Sequence, residues 1–444
     1  MEAGMTDKGK YRLLLSTLEI MVIFFSFALV NINSFIRFRQ FPEVDNYSDN
    51  EWGYIFVAIL AVILIVFSLS RNQLFVAYLT AWKNNKSLMV FIGYALISVL
   101  WTVYFPATLY KLNFLFFSSI AGSYLAVRYK MRGVINILTW VAAICSLLSI
   151  MIVIYFPLVG VMQNQLFLGS WTGIFWHRNH AGNIFAYFNM IFLLRFLLDE
   201  GSSKRQKITF ALFYILSAII VFGSRSATGI LVFLFLHFVV GLTVVWLKFH
   251  ERIKPWHYQT SAGLLLAGFL FFITNTRFFF GMLGRSADMT GRVPLWRDLF
   301  QNFYLRNPIL GYGYGALWMQ KSFRILMQIR HNWGNQVYFA DNGFFDILLN
   351  TGLLGFLLFM AVYVPLGIRS FKAAVNTKSW IWFLPVLTFL YIFIGNLTYS
   401  FMLEVDQFVW MLLVIMVFLT TSPKSSSIAH PYSQPKSTKF TNEV

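Results

Sequence analysis

Four arginines of this chain are candidates for binding an anion: Arg178 and Arg225 lie at the ends of long apolar segments, and Arg285 and Arg292 lie in a long loop between two such segments. Three short polar motifs, FWHRNHAGN, FGSRSATG and GRSADMTGR, contain Arg178, Arg225, Arg285 and Arg292. A cation at the edge of an apolar segment is costly unless it meets an anion, and a guanidinium fork binds phosphate through two parallel hydrogen bonds. Each arginine alone is equally explained by a side chain that reaches lipid phosphates. Several of them on one face of a membrane favour a site for a phosphorylated or pyrophosphorylated lipid head group.

An aspartate at the start of another apolar segment is a candidate for proton transfer. Asp341 and Asn342 lie in FADNGFFDILLNTGLLG, directly before a long apolar run. An arginine cannot accept the proton of a hydroxyl group, whereas an aspartate or a histidine can. Aspartate and asparagine are also favoured helix N-caps, so Asp341 is either a general base or a cap.

Two histidines and several hydroxyl groups are weaker candidates for chemistry. His177 and His180 are three residues apart, a spacing that some metal sites use, but no third ligand stands nearby in the sequence, so no metal is expected. The serines and Thr228 of SRSATG are better explained as helix caps, or as small residues that let helices approach, than as nucleophiles. Cys145 lies inside an apolar run and indicates packing.

The composition predicts that membrane helices position these residues. The chain has 444 residues, of which 58% are hydrophobic and only 12% charged, which is more apolar surface than one soluble core can bury. Apolar runs long enough to cross ~30 Å of hydrocarbon recur from end to end. We therefore predict an all-α polytopic membrane domain over residues 1–421. Its twelve predicted spans lie at about 13–36, 53–69, 87–103, 107–127, 134–156, 180–198, 208–222, 227–247, 259–275, 343–368, 380–397 and 405–421.

The distribution of basic residues predicts how this domain is oriented. The formal net charge of +18 does not indicate nucleic-acid binding, because Lys and Arg concentrate in alternate short loops, as they do on the cytoplasmic side of membrane proteins. This pattern places both termini in the cytoplasm and the long loop, about 276–342, outside. The tail 422–444, rich in Ser, Pro and Lys, is predicted to be disordered.

The long loop is predicted to carry amphipathic helices. In RVPLWRDLFQNFYLRNP, five apolar residues recur at helical spacing: Val293, Trp296, Leu299, Phe300 and Phe303. The stretch SFRILMQIRHNW is similar, and both are suited to the membrane interface. Between them, NPILGYGYG predicts a turn-rich connector.

Five of these motifs, in this order over about residues 165–400, resemble the O-antigen ligase/polymerase superfamily. They are FWHRNHAGN, FGSRSATG, MTGRVPLW, NPILGYGYG and DNGFFDILLNTGLLG. The resemblance implies twelve spans with one large periplasmic loop between the ninth and the tenth. The run GR…TGR…LW followed by PILGYGYG is most similar to the exopolysaccharide-polymerase branch.

The resemblance also implies roles for the matched residues. Arg225 and Arg292 would bind a pyrophosphate and stabilise its departure. Asp341 stands where the ligases carry a histidine, and His331 is a partial substitute for that histidine. The implied catalytic residues are Asp341, Arg292 and Arg225. The implied substrate-binding residues are Arg178, His177, Asn179, Arg285, His331 and Asn342.

The resemblance implies a glycosyltransferase that uses undecaprenyl-pyrophosphate-linked oligosaccharide at the periplasmic face of a bacterial inner membrane. A polymerase would extend another lipid-linked glycan, with a chain-length regulator as a potential protein partner, whereas a ligase would transfer the glycan to lipid A core. No metal or other cofactor is implied. A transporter for lipid-linked glycans is the alternative of another class, but it should carry ionisable residues near the bilayer midplane, and most predicted spans lack them.

Overall fold

Every regular element in the described part of the chain is helical. The computed structural model describes residues 62, 65, 66, 73–249, 292–319, 339–400, 402 and 408–421. Its main helices are α1 (Gln73–Asn84), α2 (Lys86–Ile97), α3 (Phe105–Tyr155), α4 (Arg178–Leu198), α5 (Lys204–Gly223), α6 (Ala227–Phe249), α7 (Arg292–Asn302), α8 (Gly343–Thr377), α9 (Phe383–Thr398) and α10 (Phe408–Thr421). The predicted all-α class is confirmed for these residues.

Among the residues that the structure describes, six helices are long and apolar enough to cross a membrane, so the chain is a multi-pass membrane protein. They are α3, α4, α5, α6, α8 and the segment Trp380–Leu397 that contains α9. Two shorter apolar helices, Lys86–Leu100 and Phe408–Thr421, coincide with further predicted spans. The predicted spans 13–36 and 259–275, most of 53–69 and the tail 422–444 lie outside the described residues. The total of twelve spans therefore stays a prediction, as do the loop arrangement and the cytoplasmic termini.

Backbone interruptions divide the two longest helices. Lys130 has φ 53° inside the 51-residue α3, at the junction between the predicted spans 107–127 and 134–156. Each half is about 25 residues long, enough for one crossing. Gly352 has φ 65° inside the 35-residue α8, close to its start.

Helices α10 and α4 lie at the centre of the hydrophobic core. Residues Phe408–Leu419 of α10 are all buried, as expected of a helix that is apolar on every side. Helix α10 packs on α3, α8 and α9, whereas α4 packs on α5 and α6. A side chain at Gly229 would come within 2.7 Å of the backbone carbon of Gly182, so α4 and α6 cross in close contact. This crossing brings the motif containing Arg225 next to the motif containing Arg178.

The first predicted amphipathic stretch forms helix α7. Leu295, Leu299 and Phe303 are buried, together with Tyr312 of the connector. Val293 and Phe300 are 43% and 44% exposed, and the contact of this helix with the membrane interface stays a prediction. The second predicted amphipathic stretch, SFRILMQIRHNW, lies outside the described residues.

The glycine-rich connector fills the break in α8. Gly313 N–H donates to the carbonyl of Asn350 (2.9 Å), and Leu353 N–H donates to the carbonyl of Pro308 (2.8 Å). Any side chain at Gly352 would overlap the carbonyl oxygen of Ile309. Backbone groups freed by the break thus find partners in the connector, as a membrane-embedded helix requires. This docking holds α7 beside the start of α8.

Candidate functional site

The site is built around an ion pair between α7 and the residue that precedes the cap of α8. Arg292, the first residue of α7, donates from Nε to Oδ2 of Asp341 at 3.1 Å. The two side chains are 16% and 17% exposed, so they lie under the surface but within reach of a ligand. The structure therefore brings together two of the three predicted catalytic residues.

The cap of α8 is Asn342, not Asp341. The Asn342 side chain accepts a hydrogen bond from Phe345 N–H at 3.0 Å. Asp341 has φ 54°, a left-handed conformation that aspartate tolerates better than most residues. The alternative that Asp341 serves as the cap was wrong, and its carboxylate is directed to Arg292 instead.

Trp296 anchors the backbone next to Asp341. Its Nε1 donates to the carbonyl of Ala340 at 2.7 Å. Arg292 and Trp296 are four residues apart in α7, so they lie on the same face of the helix. The spacing of the RVPLW motif thus directs a cation and an anchoring indole to adjacent points of one loop.

A second group of basic residues lies at the start of α4 and the end of α5. Arg178 donates from Nη1 to the carbonyl of Arg225 at 2.7 Å, and its guanidinium lies 4.1 Å from the Phe167 ring centroid. Arg225 has φ 49°, is exposed, and donates from Nη1 to the carbonyl of Leu168 at 3.3 Å. Within the described ranges no carboxylate forms an ion pair with Arg225.

His177 and Asn179 support this second group. His177 is the N-cap of α4, and its Nδ1 accepts a hydrogen bond from Asn179 N–H at 3.2 Å. Burial, with added repulsion from Arg178 and His180, lowers the pKa of His177 to about 3. The ring is therefore neutral at physiological pH and lends no charge to the site.

The hydroxyl groups of SRSATG have the structural role that the sequence predicts. Ser226 Oγ donates to Asn179 Oδ1 at 2.9 Å and accepts from Gly229 N–H at 3.1 Å. The second contact is that of a helix cap at the start of α6. Neither Ser226 nor Thr228, which accepts from Asn183 Nδ2 at 3.1 Å, is placed as a nucleophile.

A two-residue corner, Tyr399–Ser400, connects the two groups. The Tyr399 ring is parallel to the His177 ring, with centroids 6.4 Å apart. Ser400 Oγ accepts from Asn342 N–H at 3.1 Å, and the Tyr399 carbonyl accepts from Gly343 N–H at 3.2 Å. The Arg178–Arg225 group and the Arg292–Asp341 pair therefore lie at the same end of the helix bundle. Arg285 and His331 lie outside the described residues, and their binding roles stay predictions.

Close packing explains the glycine of the DNG motif, Gly343. A side chain at Gly343 would overlap the amide oxygen of Asn396, which is fully buried in α9.

In the part of the chain that the structure describes, no group of three or more His, Cys, Asp and Glu side chains comes together. The pair His177 and His180 thus gains no third ligand of this kind there.

An open groove of about 510 Å³ adjoins the ion pair, between α7 and the first turns of α8. Its lining is mainly aromatic: Trp296, Arg297, Phe300, Gln301, Asn342, Phe344, Phe345, Leu348 and Phe356. Such a surface suits an apolar chain or the face of a ring. Asn342 and Trp296 connect it directly to the loop that carries Asp341.

Sequence reasoning missed Tyr399, Ser400, Trp318 and Asp346. Tyr399 and Ser400 carry no local signal, because their roles follow from contacts with distant segments. Asp346 does carry one, since a carboxylate one turn inside an apolar span is rare unless it has partners. Asp346 accepts a hydrogen bond from Trp318 Nε1 at 2.7 Å.

A comparison with known families matches one segment of the chain. Residues 212–360, about a third of the chain, match the family model described as O-antigen ligase. The matched segment includes Arg225, Arg292 and Asp341. The match confirms the resemblance to the O-antigen ligase/polymerase superfamily, whereas the exopolysaccharide branch stays a prediction. No curated protein matches the chain.

Proposed function

We propose that this membrane protein with an O-antigen ligase segment is a polysaccharide polymerase. It transfers an undecaprenyl-pyrophosphate-linked oligosaccharide onto a sugar hydroxyl of another lipid-linked glycan, at the periplasmic face of a bacterial inner membrane. The observation that carries the proposal is the 3.1 Å contact between Arg292 Nε and Asp341 Oδ2 inside the matched segment. This contact supports the proposal because a guanidinium can bind phosphate and a carboxylate can accept a proton.

The proposed reaction is a displacement at the anomeric carbon of the donor glycan. The acceptor hydroxyl oxygen forms a bond to this carbon, while the bond from the carbon to the pyrophosphate oxygen breaks and its electron pair leaves with the lipid pyrophosphate. Arg292 and Arg225 stabilise the negative charge of the leaving group. The proton of the acceptor hydroxyl passes to the carboxylate of Asp341.

A ligase that transfers the glycan to lipid A core is the second candidate, because the matched family is described as O-antigen ligase. The chemistry of Asp341 and the arginines would be the same, and only the acceptor differs. A transporter is less well supported, since the arginines that the structure describes near Asp341 lie at one end of the bundle rather than at its middle. A chain-length regulator is a further proposed partner of the polymerase.

One experiment separates these functions. The purified protein in liposomes is incubated with a labelled, lipid-pyrophosphate-linked repeat unit, with and without lipid A core. Lengthening of lipid-linked chains with release of lipid pyrophosphate is the expected result. Transfer only in the presence of lipid A core would assign the ligase. Movement of the label between leaflets without any new glycosidic bond would refute both enzymes.

A further inference from the structure

A buried carboxylate lies behind the Arg292–Asp341 pair. Asp346, in the first turn of α8, is 1% exposed. Its Oδ1 accepts from Trp318 Nε1 at 2.7 Å and from Ala340 N–H at 3.2 Å, and its Oδ2 is 3.3 Å from the same N–H. Because the carboxylate is enclosed by these donors, Asp346 cannot touch a substrate that binds at the surface.

Hydrogen bonds fix both backbone polar groups of Ala340, the residue before Asp341. The N–H of Ala340 donates to Asp346, and its carbonyl accepts from Trp296 Nε1 at 2.7 Å. Ala340 itself is fully buried. These contacts fix the residue that precedes Asp341, while the Asn342 cap fixes the residue that follows it.

Asp341 needs such support because its backbone is left-handed, with φ 54°. A residue other than glycine keeps this conformation only where the surrounding structure holds it. We propose that Asp346 is a positioning residue, which orients the Asp341 carboxylate toward Arg292 through the backbone of Ala340. The inference rests on the proposed role of Asp341 as the general base.

The acceptor oxygens of Asp346 carry this role. Its Oδ1 alone accepts from both Trp318 Nε1–H and Ala340 N–H, so an asparagine with its oxygen in that place keeps both contacts. Alanine removes both oxygens and leaves the two donors without their acceptor.

Asp346→Ala tests the proposal in the liposome assay. We expect kcat to fall about 10- to 100-fold with KM within about twofold of the parent, because a displaced base affects the chemical step and not donor binding. Asp346→Asn, which keeps an acceptor at the place of Oδ1, should retain most of the parent kcat. Asp199→Ala is the matched control. Asp199 is also a buried aspartate, but it pairs with Arg195 at the other end of α4. A purely structural role for Asp346 would lower the yield of folded protein in both alanine variants and leave kcat per folded molecule unchanged, which would overturn the proposal.

A cross-linking experiment tests the positioning without relying on activity. Arg292→Cys and Asp341→Cys are combined in a Cys145→Ser background and treated with a short thiol cross-linker. Adding Asp346→Ala should lower the cross-linking yield at least several-fold, whereas Asp199→Ala should not. An unchanged yield would refute the positioning role. If the parent shows no glycosyl transfer but the yield still falls with Asp346→Ala, the proposed function fails and the positioning role stands.

Discussion

Replacing Asp341 with asparagine removes the proposed base with little other change. Asparagine has the same size as aspartate and is among the residues that best tolerate the left-handed conformation at φ 54°. The cap of α8 is preserved, since it is supplied by Asn342. An alanine would add backbone strain at this position and confuse the result.

The structure allows the loss of activity to be separated from the loss of stability. Removing a general base costs about 10²- to 10⁴-fold in rate, which corresponds to about 3–5 kcal/mol in the activation free energy. The ion pair joins side chains that are 16% and 17% exposed, so it lies between the surface and the fully buried cases. Breaking it should cost about 1–2 kcal/mol of folding free energy. A protein with ~5 kcal/mol of stability or more stays folded after that loss.

The assay is the rate of chain lengthening per folded molecule in liposomes, with folded protein measured by size-exclusion chromatography. Asp199→Asn is the control, because its ion pair with Arg195 has a similar length, 3.2 Å, and side chains 12% and 9% exposed. It lies about 30 Å from His177 along the axis of α4. Normal polymer from Asp341→Asn would refute the base, as would an equal loss of rate in the control.

Four further substitutions test the arginines and the helix break. Arg292→Lys keeps the charge but loses the fork, and kcat/KM for the lipid-linked donor should fall about 10- to 100-fold; an unchanged value would contradict bidentate binding. Arg225→Asn suits the left-handed φ of 49°, and polymer formation should fall about 100-fold or more while the melting temperature in detergent stays within a few degrees. Gly352→Ala should lower stability by about 3 kcal/mol, because it combines a left-handed φ with overlap on the carbonyl of Ile309. Gly241→Ala in α6 has no atom within 4 Å of the new methyl group and should raise stability by about 0.5–1 kcal/mol; equal melting temperatures for the two alanine variants would refute the docking of the connector into α8.

Hydropathy along the sequence was enough to locate most of the described helices. The apolar runs predicted at 180–198, 208–222 and 227–247 coincide with α4, α5 and α6. This works because the requirement to satisfy every backbone hydrogen bond in hydrocarbon is met locally, within each helix. Local signals also selected the arginines: Arg178 and Arg225 lie at the ends of apolar runs, and Arg292 lies in the long loop.

Only the tertiary structure decided whether Asp341 or Asn342 is the N-cap of α8. Asp341 and Asn342 are both good N-caps by residue type, so the sequence left the two roles open. The choice depends on Ala340, whose backbone is held by Trp296 and Asp346 from either side. Trp296 lies 44 residues before Ala340, and Asp346 lies 6 residues after it. A local sequence pattern therefore does not encode both contacts.

The composition of the site is likewise a product of long-range packing. Arg292 and Asp341 are separated by 49 residues, and the corner that connects them with His177 comes from Tyr399 and Ser400, far along the chain. Residue types and their spacing predicted phosphate-binding cations and a proton acceptor in these motifs. Which cation meets which acceptor was decided by the docking of α7 and its connector onto the broken start of α8, because contacts between distant segments form only when the helices pack.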